Sequence, residues 1–178
     1  MGIPLAKLKA ILRYFCTFTD TRFLGKTKLM KLFYFIDFLH VKKHGVPITN
    51  DMYINLELGP IPTVIKNMVD NVVDDPERAI LSDTISINEP DGIKMQQILS
   101  FQEFSEDDKG YFNDNELETL KTVCARFGTK NTKTIVDASH NESPWTETKI
   151  LDKIPYSLAA LDKDCSFTRE EIEMLQSI

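Results

Sequence analysis

The chain has 178 residues, 42% hydrophobic and 27% charged, values of an ordinary globular protein that exclude wholesale disorder. Its formal net charge of −6 argues against nucleic acid as the main partner, because phosphate backbones are gripped by basic faces, and it suits a basic protein partner. Three scattered cysteines, Cys16, Cys124 and Cys165, form no CxxC pair, which argues against a disulfide framework or a cysteine-rich zinc site and fits a reducing cytoplasm.

Pro4 opens the first expected helix, with Leu5, Leu8, Leu12 and Phe15 on one stripe. Residues 1–15 lack the continuous apolar core of a secretory leader, so a cytoplasmic location is expected. Residues 17–25 read as a connection. A second helix is expected over 26–44, with Leu29, Leu32, Phe33, Ile36 and Leu39 inward. Lys42, Lys43 and His44 suit the negative end of its dipole, Gly45 can take the left-handed cap, and Pro47 blocks continuation. Its apolar stretch, 29–41, is too short to span a bilayer and is interrupted by Lys31 and Asp37, so no membrane partner is expected.

Residues 52–58 alternate strictly and predict a strand, broken by Gly59-Pro60. A third helix follows from Pro60 or Pro62 to Val73, with Ile61, Ile65, Met68, Val69 and Val72 inward. Residues 80–104 read as a β-hairpin. Ile85 and Ile87 lie on its outgoing strand, residues 88–92 form the turn, and Ile93, Met95, Ile98 and Phe101 lie on the return. Residues 105–110 read as a mobile loop or short turn. A fourth helix starts at Asn113 or Asp114 and closes at Gly128, and a fifth covers 130–139. Ser143-Pro144-Trp145 reads as a loop. Thr168 and Glu171 form a capping-box pattern before a C-terminal helix over 168–177. The fold expected is a mainly α-helical α+β domain, single over 1–178, with a small antiparallel β-hairpin or sheet.

Three blocks carry a resemblance. The first is the helix segment 28–37 (KLMKLFYFID) with 45–51 (GVPITND) after it. The second runs from Tyr53 to Gly59-Pro60-Ile61, and the third is 138–145 (ASHNESPW). In order and spacing they resemble the Panacea, or SocA-like antitoxin, domain over roughly residues 5–150. Asn55 and Leu56 depart from the small or aromatic residues common there, and Val64 and Ile65 stand where a tyrosine is common. No helix-turn-helix extension is recognisable. The resemblance implies a bacterial or phage-associated antitoxin that binds a cognate protein toxin directly and holds it inactive. The toxin's chemistry is not readable, because the family pairs with several unrelated toxin types.

The candidate partner-binding residues are Tyr53, Glu57, Gly59, Pro60, His140 and Trp145, in two blocks expected to converge. Trp145, the single tryptophan, suits either a binding hot spot or a core plug. His140 reads as locking a loop beside Trp145, as a partner contact, or as a base oriented by Asp137. His40 and His44 have the spacing of two metal ligands, but no glutamate stands between them. Lys26, Lys28 and Lys31 read as a solvated face or, alternatively, as a grip on an acidic partner. No glycine loop cradles a phosphate, and no nucleophile sits in a known motif. No cofactor, metal or catalytic residue is therefore expected. Two alternatives to direct neutralisation stand beside it: an adaptor presenting a toxin to a cytoplasmic protease, and a His- or metal-dependent hydrolase. A homodimer through the hairpin edge is a further partner reading.

Overall fold

A computed structural model of the protein describes residues 2–92 and 95–178. Its elements are α1 (Leu5–Phe18), α2 (Lys26–His44), β1 (Tyr53–Ile54), β2 (Ile61–Pro62), α3 (Thr63–Asp74), β3 (Ile85–Asn88), β4 (Gln97–Ser100), α4 (Glu106–Lys109), α5 (Asp114–Phe127), α6 (Thr132–His140), α7 (Ser143–Thr146), β5 (Lys153–Ile154) and α8 (Arg169–Gln176). Two 3-10 helices, Thr21–Phe23 and Tyr156–Leu161, complete it. The architecture is mainly α-helical α+β with small antiparallel sheets. No helix of the described residues is long and apolar enough to cross a membrane.

Helix α2 runs through the centre. Every residue from Lys28 to Phe38 is buried, because α5, α6, β2 and the Tyr156–Leu161 turn all pack on it. It ends as the sequence dictates: Gly45 takes φ 78° and its N–H bonds back to Val41. Aromatic rings in edge-on and tilted contact fill the core beneath it, with Phe38 5.3 Å from Tyr53 and 5.1 Å from Tyr156. Capping boxes start α5 (Asn113 with Glu116) and α8 (Thr168 with Glu171).

β1 is the middle strand of a three-stranded sheet ordered β2-β1-β5, with Tyr53 opposite both Pro62 and Ile154. β3 and β4 form a separate hairpin, pairing Ile85 with Ser100 and Ile87 with Ile98. The return strand is shorter than expected. Met95 precedes it, Phe101 follows it with 62% exposure, and Ile93 lies outside the described residues. The strand of 52–58 is likewise only two residues long. Residues 105–110 contain the capped helix α4 rather than an open loop, and Ser143-Pro144-Trp145 begins the short helix α7.

Candidate functional site

Charged residues inside α2 hold the surrounding loops. Asp37 is fully buried, and its carboxylate accepts from Ile48 N (2.9 Å), Thr49 N (2.7 Å), the Thr49 hydroxyl and the Tyr53 hydroxyl (2.8 Å). Burial pushes its carboxyl up to about 6, against the lowering pull of these hydrogen bonds. Tyr156 donates 2.7 Å to the Asp51 carbonyl. Asp51 in turn accepts from Val64 N (3.1 Å) and Ile65 N (2.8 Å), capping α3 from a distance where Pro62 supplies no side-chain cap. Asp37 on α2 thus fixes residues 48–53, and Asp51, in the loop that follows, fixes the start of α3.

Lys28 and Lys31 are completely buried, which corrects the expectation of a solvated lysine face. The Lys28 ammonium donates to Gly128 O (3.2 Å) and Lys130 O (2.6 Å), at the carbonyl end of α5, where helix polarity favours a cation. The Lys31 ammonium donates to Pro60 O (2.6 Å), and burial pulls it down to about 7. The Gly59-Pro60 loop therefore lies directly over Lys31. Gly59 has φ 96°, and a Cβ added there would stand 2.4 Å from Ser139 Oγ and 2.8 Å from Lys31 Cε. Gly59→Ala is expected to lower folding stability by about 2–4 kcal/mol, from positive φ and overpacking together. A urea titration of both proteins measures it; a difference below about 0.5 kcal/mol would contradict this packing.

The two sequence blocks converge. The Trp145 indole N–H donates to Leu56 O (3.0 Å). Asn55, buried, donates its side-chain amide to Trp145 O (3.0 Å), Thr148 O (3.1 Å) and Thr148 Oγ1 (2.8 Å). Its backbone accepts from Leu151 N (2.8 Å) and donates to Asp152 O (2.9 Å). His140 stacks on Trp145 with ring centroids 3.9 Å apart. Residues 55–60 and 140–152 are therefore one continuous, hydrogen-bonded surface element.

That element points its apolar side outward. Along the alternating stretch the buried positions are Tyr53 and Asn55; Ile54 and Leu56 are half-buried, and Met52 and Leu58 are 43% and 58% exposed. Ile150 is 48% and Leu151 73% exposed, and Leu151 sits at φ 74°, a strained setting for a branched side chain. Met30, Leu56, Leu58, Gly59, Ile61 and Lys66 line a groove of about 300 Å³ beside it.

The candidate residues fall into two groups. Tyr53 is spent on Asp37, and Gly59 and Pro60 are buried, so these three shape the surface from beneath and present no side chain on it. Glu57 is exposed, and His140 and Trp145 are half-buried. Asp137 does not orient His140: it is exposed and paired with Lys133 on its own helix. His140 Nε2 is buried with no hydrogen-bond partner among the described residues. His40 is buried, with Nδ1 2.9 Å from Thr119 Oγ1. The Thr119 proton goes to Asn115 O (2.9 Å), so His40 Nδ1 is the donor. Burial, with His44 beside it, lowers His40 to about 4. No group of three potential metal ligands occurs among the described residues.

Sequence reasoning missed Asp37, Lys31 and Asn55 as organisers and Leu58 and Leu151 as exposed residues. One signal was available: Lys31 and Asp37 interrupt a helix that is apolar on every face, so both had to be buried and paired. A comparison with curated proteins found no match, and a comparison with solved structures found none. A family model described as "Antitoxin SocA-like, Panacea domain" matches residues 29–146, a stretch that contains α2 from Leu29 onward, the Gly59-Pro60 loop and Trp145. The chain belongs to the SocA-like antitoxin, Panacea domain family.

Proposed function

We propose that this protein is an antitoxin that neutralises a cognate protein toxin by direct binding. The contact surface is the outward side of residues 52–58 together with Ile150, Leu151, Glu57 and the open edge of Trp145. One observation carries this reading: in the alternating stretch Met52 and Leu58 are exposed and Ile54 and Leu56 half-buried, while its tyrosine and asparagine face the core. A stretch folded only for its own stability would bury the aliphatic set, whereas one built to meet a partner exposes it. The surface is also pre-organised. Asn55, Trp145 and Lys31 hold its backbone by long-range hydrogen bonds, so little ordering entropy is lost on association. Trp145 supplies a rigid aromatic anchor of the kind that dominates interface energetics. A standard-size interface, burying about 1,600 Å² in total, suffices for stable inhibition, and blocking the toxin requires no chemistry from the antitoxin.

Co-expression with the product of the adjacent gene tests the proposal, with growth and co-purification scored together. The expected result is a neighbour that is toxic alone, harmless in the presence of this protein, and co-eluted with it. Leu58→Glu combined with Leu151→Glu should abolish both rescue and co-elution while leaving the thermal midpoint of the free protein within about 3 °C, as for exposed substitutions. A neighbour that is harmless, or one rescued equally well by the double variant, would overturn the reading.

A further inference from the structure

A second recognition surface lies on different elements. Tyr14 and Phe18 of α1 meet Phe104, with ring centroids 4.5 Å apart for Tyr14–Phe18, 5.0 Å for Tyr14–Phe104 and 6.2 Å for Phe18–Phe104. Phe104 is pinned to α1 by its N–H, which donates to Thr17 Oγ1 (2.9 Å). The three rings pack against one another, and Tyr14 is buried at 8% exposure. They form one wall of an open groove of about 250 Å³ whose other wall is Leu117, Asp114 and Glu118 of α5, and Phe18 remains 52% exposed. Tyr14 and Phe18 lie outside the stretch matched by the family model, and the α5 wall lies inside it.

The charges around the groove are unequal. Lys7 holds Glu116 (2.5 Å), Arg13 holds Asp108 (2.7 Å) and Lys109 holds Glu106 (2.6 Å). Asp114 and Glu118 line the groove and have no cation partner among the described residues, while Lys121 is the one lining amine without a carboxylate. Burial first, with the Glu118 carboxylate adding to it, pushes the Tyr14 hydroxyl up to about 12. An aromatic wall facing two unmatched carboxylates is the environment that favours a planar cation, which stacks on rings and forks to carboxylates, over a compact ammonium.

We infer that the groove between α1 and α5 is a docking site for an arginine-bearing segment of a basic protein partner. The guanidinium stacks against Phe18 and Phe104 and pairs with Glu118 and Asp114. This surface shares no residue with the Leu58–Leu151 surface, so it stands or falls independently of the antitoxin reading.

The test uses the full-length protein and two synthetic peptides, Ac-Gly-Arg-Gly-Arg-Gly-NH2 and the same peptide with citrulline in place of arginine. Binding is read by NMR chemical-shift titration. The arginine peptide should give saturable shifts confined to residues around Phe18, Phe104 and Leu117, and the citrulline peptide should bind at least about tenfold more weakly. Glu118→Gln should weaken the arginine peptide about threefold. Lys121→Glu should tighten it about threefold, a gain that unfolding cannot mimic. Phe18→Ala, at a half-open position, should weaken it about fivefold. Equal binding of both peptides, shifts elsewhere on the molecule, or an affinity unmoved by Lys121→Glu would overturn the assignment.

Discussion

Asp37→Ala is expected to destabilise the protein by about 3–5 kcal/mol at pH 7, among the largest effects of any single substitution. The substitution strands the donors of Ile48, Thr49 and Tyr53 in a site with no water access. Asp37→Asn should be far milder, within about 1 kcal/mol of wild type. Its carbonyl can keep the two backbone N–H groups, and the hydroxyls of Thr49 and Tyr53 can rotate to accept from its amide. The two variants also separate by pH. The folded carboxyl titrates at about 6, above its ordinary 3.8, so the native state holds the extra proton between those values. Stability contributed by this group is therefore greatest below pH 4 and is lost as pH rises through 6, by about 3 kcal/mol relative to the asparagine variant. His40 works in the opposite direction. Its folded value of about 4 lies below its ordinary 6.5, so its contribution is lost as pH falls across that window. Urea denaturation of wild type and Asp37→Asn from pH 4 to 7 isolates the Asp37 slope, because His40 is common to both. Parallel pH curves would show that Asp37 is not buried as described.

The second large effect is expected at Lys42. Its ammonium, 3% exposed, sits 3.0 Å from Glu142, 3.0 Å from Asp162 and 3.1 Å from Asp164. Burial alone would lower it; the carboxylates of Glu142 and Asp162 instead hold it above the usual lysine range. Glu142 also accepts from the Tyr34 hydroxyl (2.7 Å), and Asp162 accepts from Ser143 N (2.9 Å) at the start of α7. The end of α2 thus fixes the segment that carries Trp145. Lys42→Met should cost about 3–5 kcal/mol, because three carboxylates then face one another without a cation. The sign of its pH dependence is distinctive. Crowded carboxylates bind protons more readily in the folded state, so the variant should recover stability as pH falls from 7 to 5. A variant whose stability changes with pH in step with wild type would contradict the cluster.

Much of the fold was legible because its punctuation is local. Gly45 and Pro47 end α2, Asn113 and Glu116 start α5, and Thr168 and Glu171 start α8, all within a few residues of the boundary they set. The site was less legible because its bonds are remote. Trp145 and Leu56 are 89 positions apart, Asn55 and Thr148 93, and Lys28 and Lys130 102. Alternation at residues 52–58 gave the period of the segment but not its sense. An aliphatic set normally faces the core, and only the distant partners of Tyr53 and Asn55 turn it outward. The return strand of the hairpin was overextended for a related reason: Phe101 fits a strand pattern but lies past the last paired residue, Ser100. The Tyr156–Leu161 turn, which packs on α2, carries no periodic signal that would mark it.

Amide hydrogen exchange on this protein, alone and bound to the co-purified product of the adjacent gene, locates the toxin-binding surface directly. New protection is expected at residues 56–59 and 145–151, where exposed apolar side chains sit on backbone already fixed by Asn55 and Trp145. Protection confined to the β3–β4 hairpin or to α8, with residues 56–59 and 145–151 exchanging as in the free protein, would contradict it.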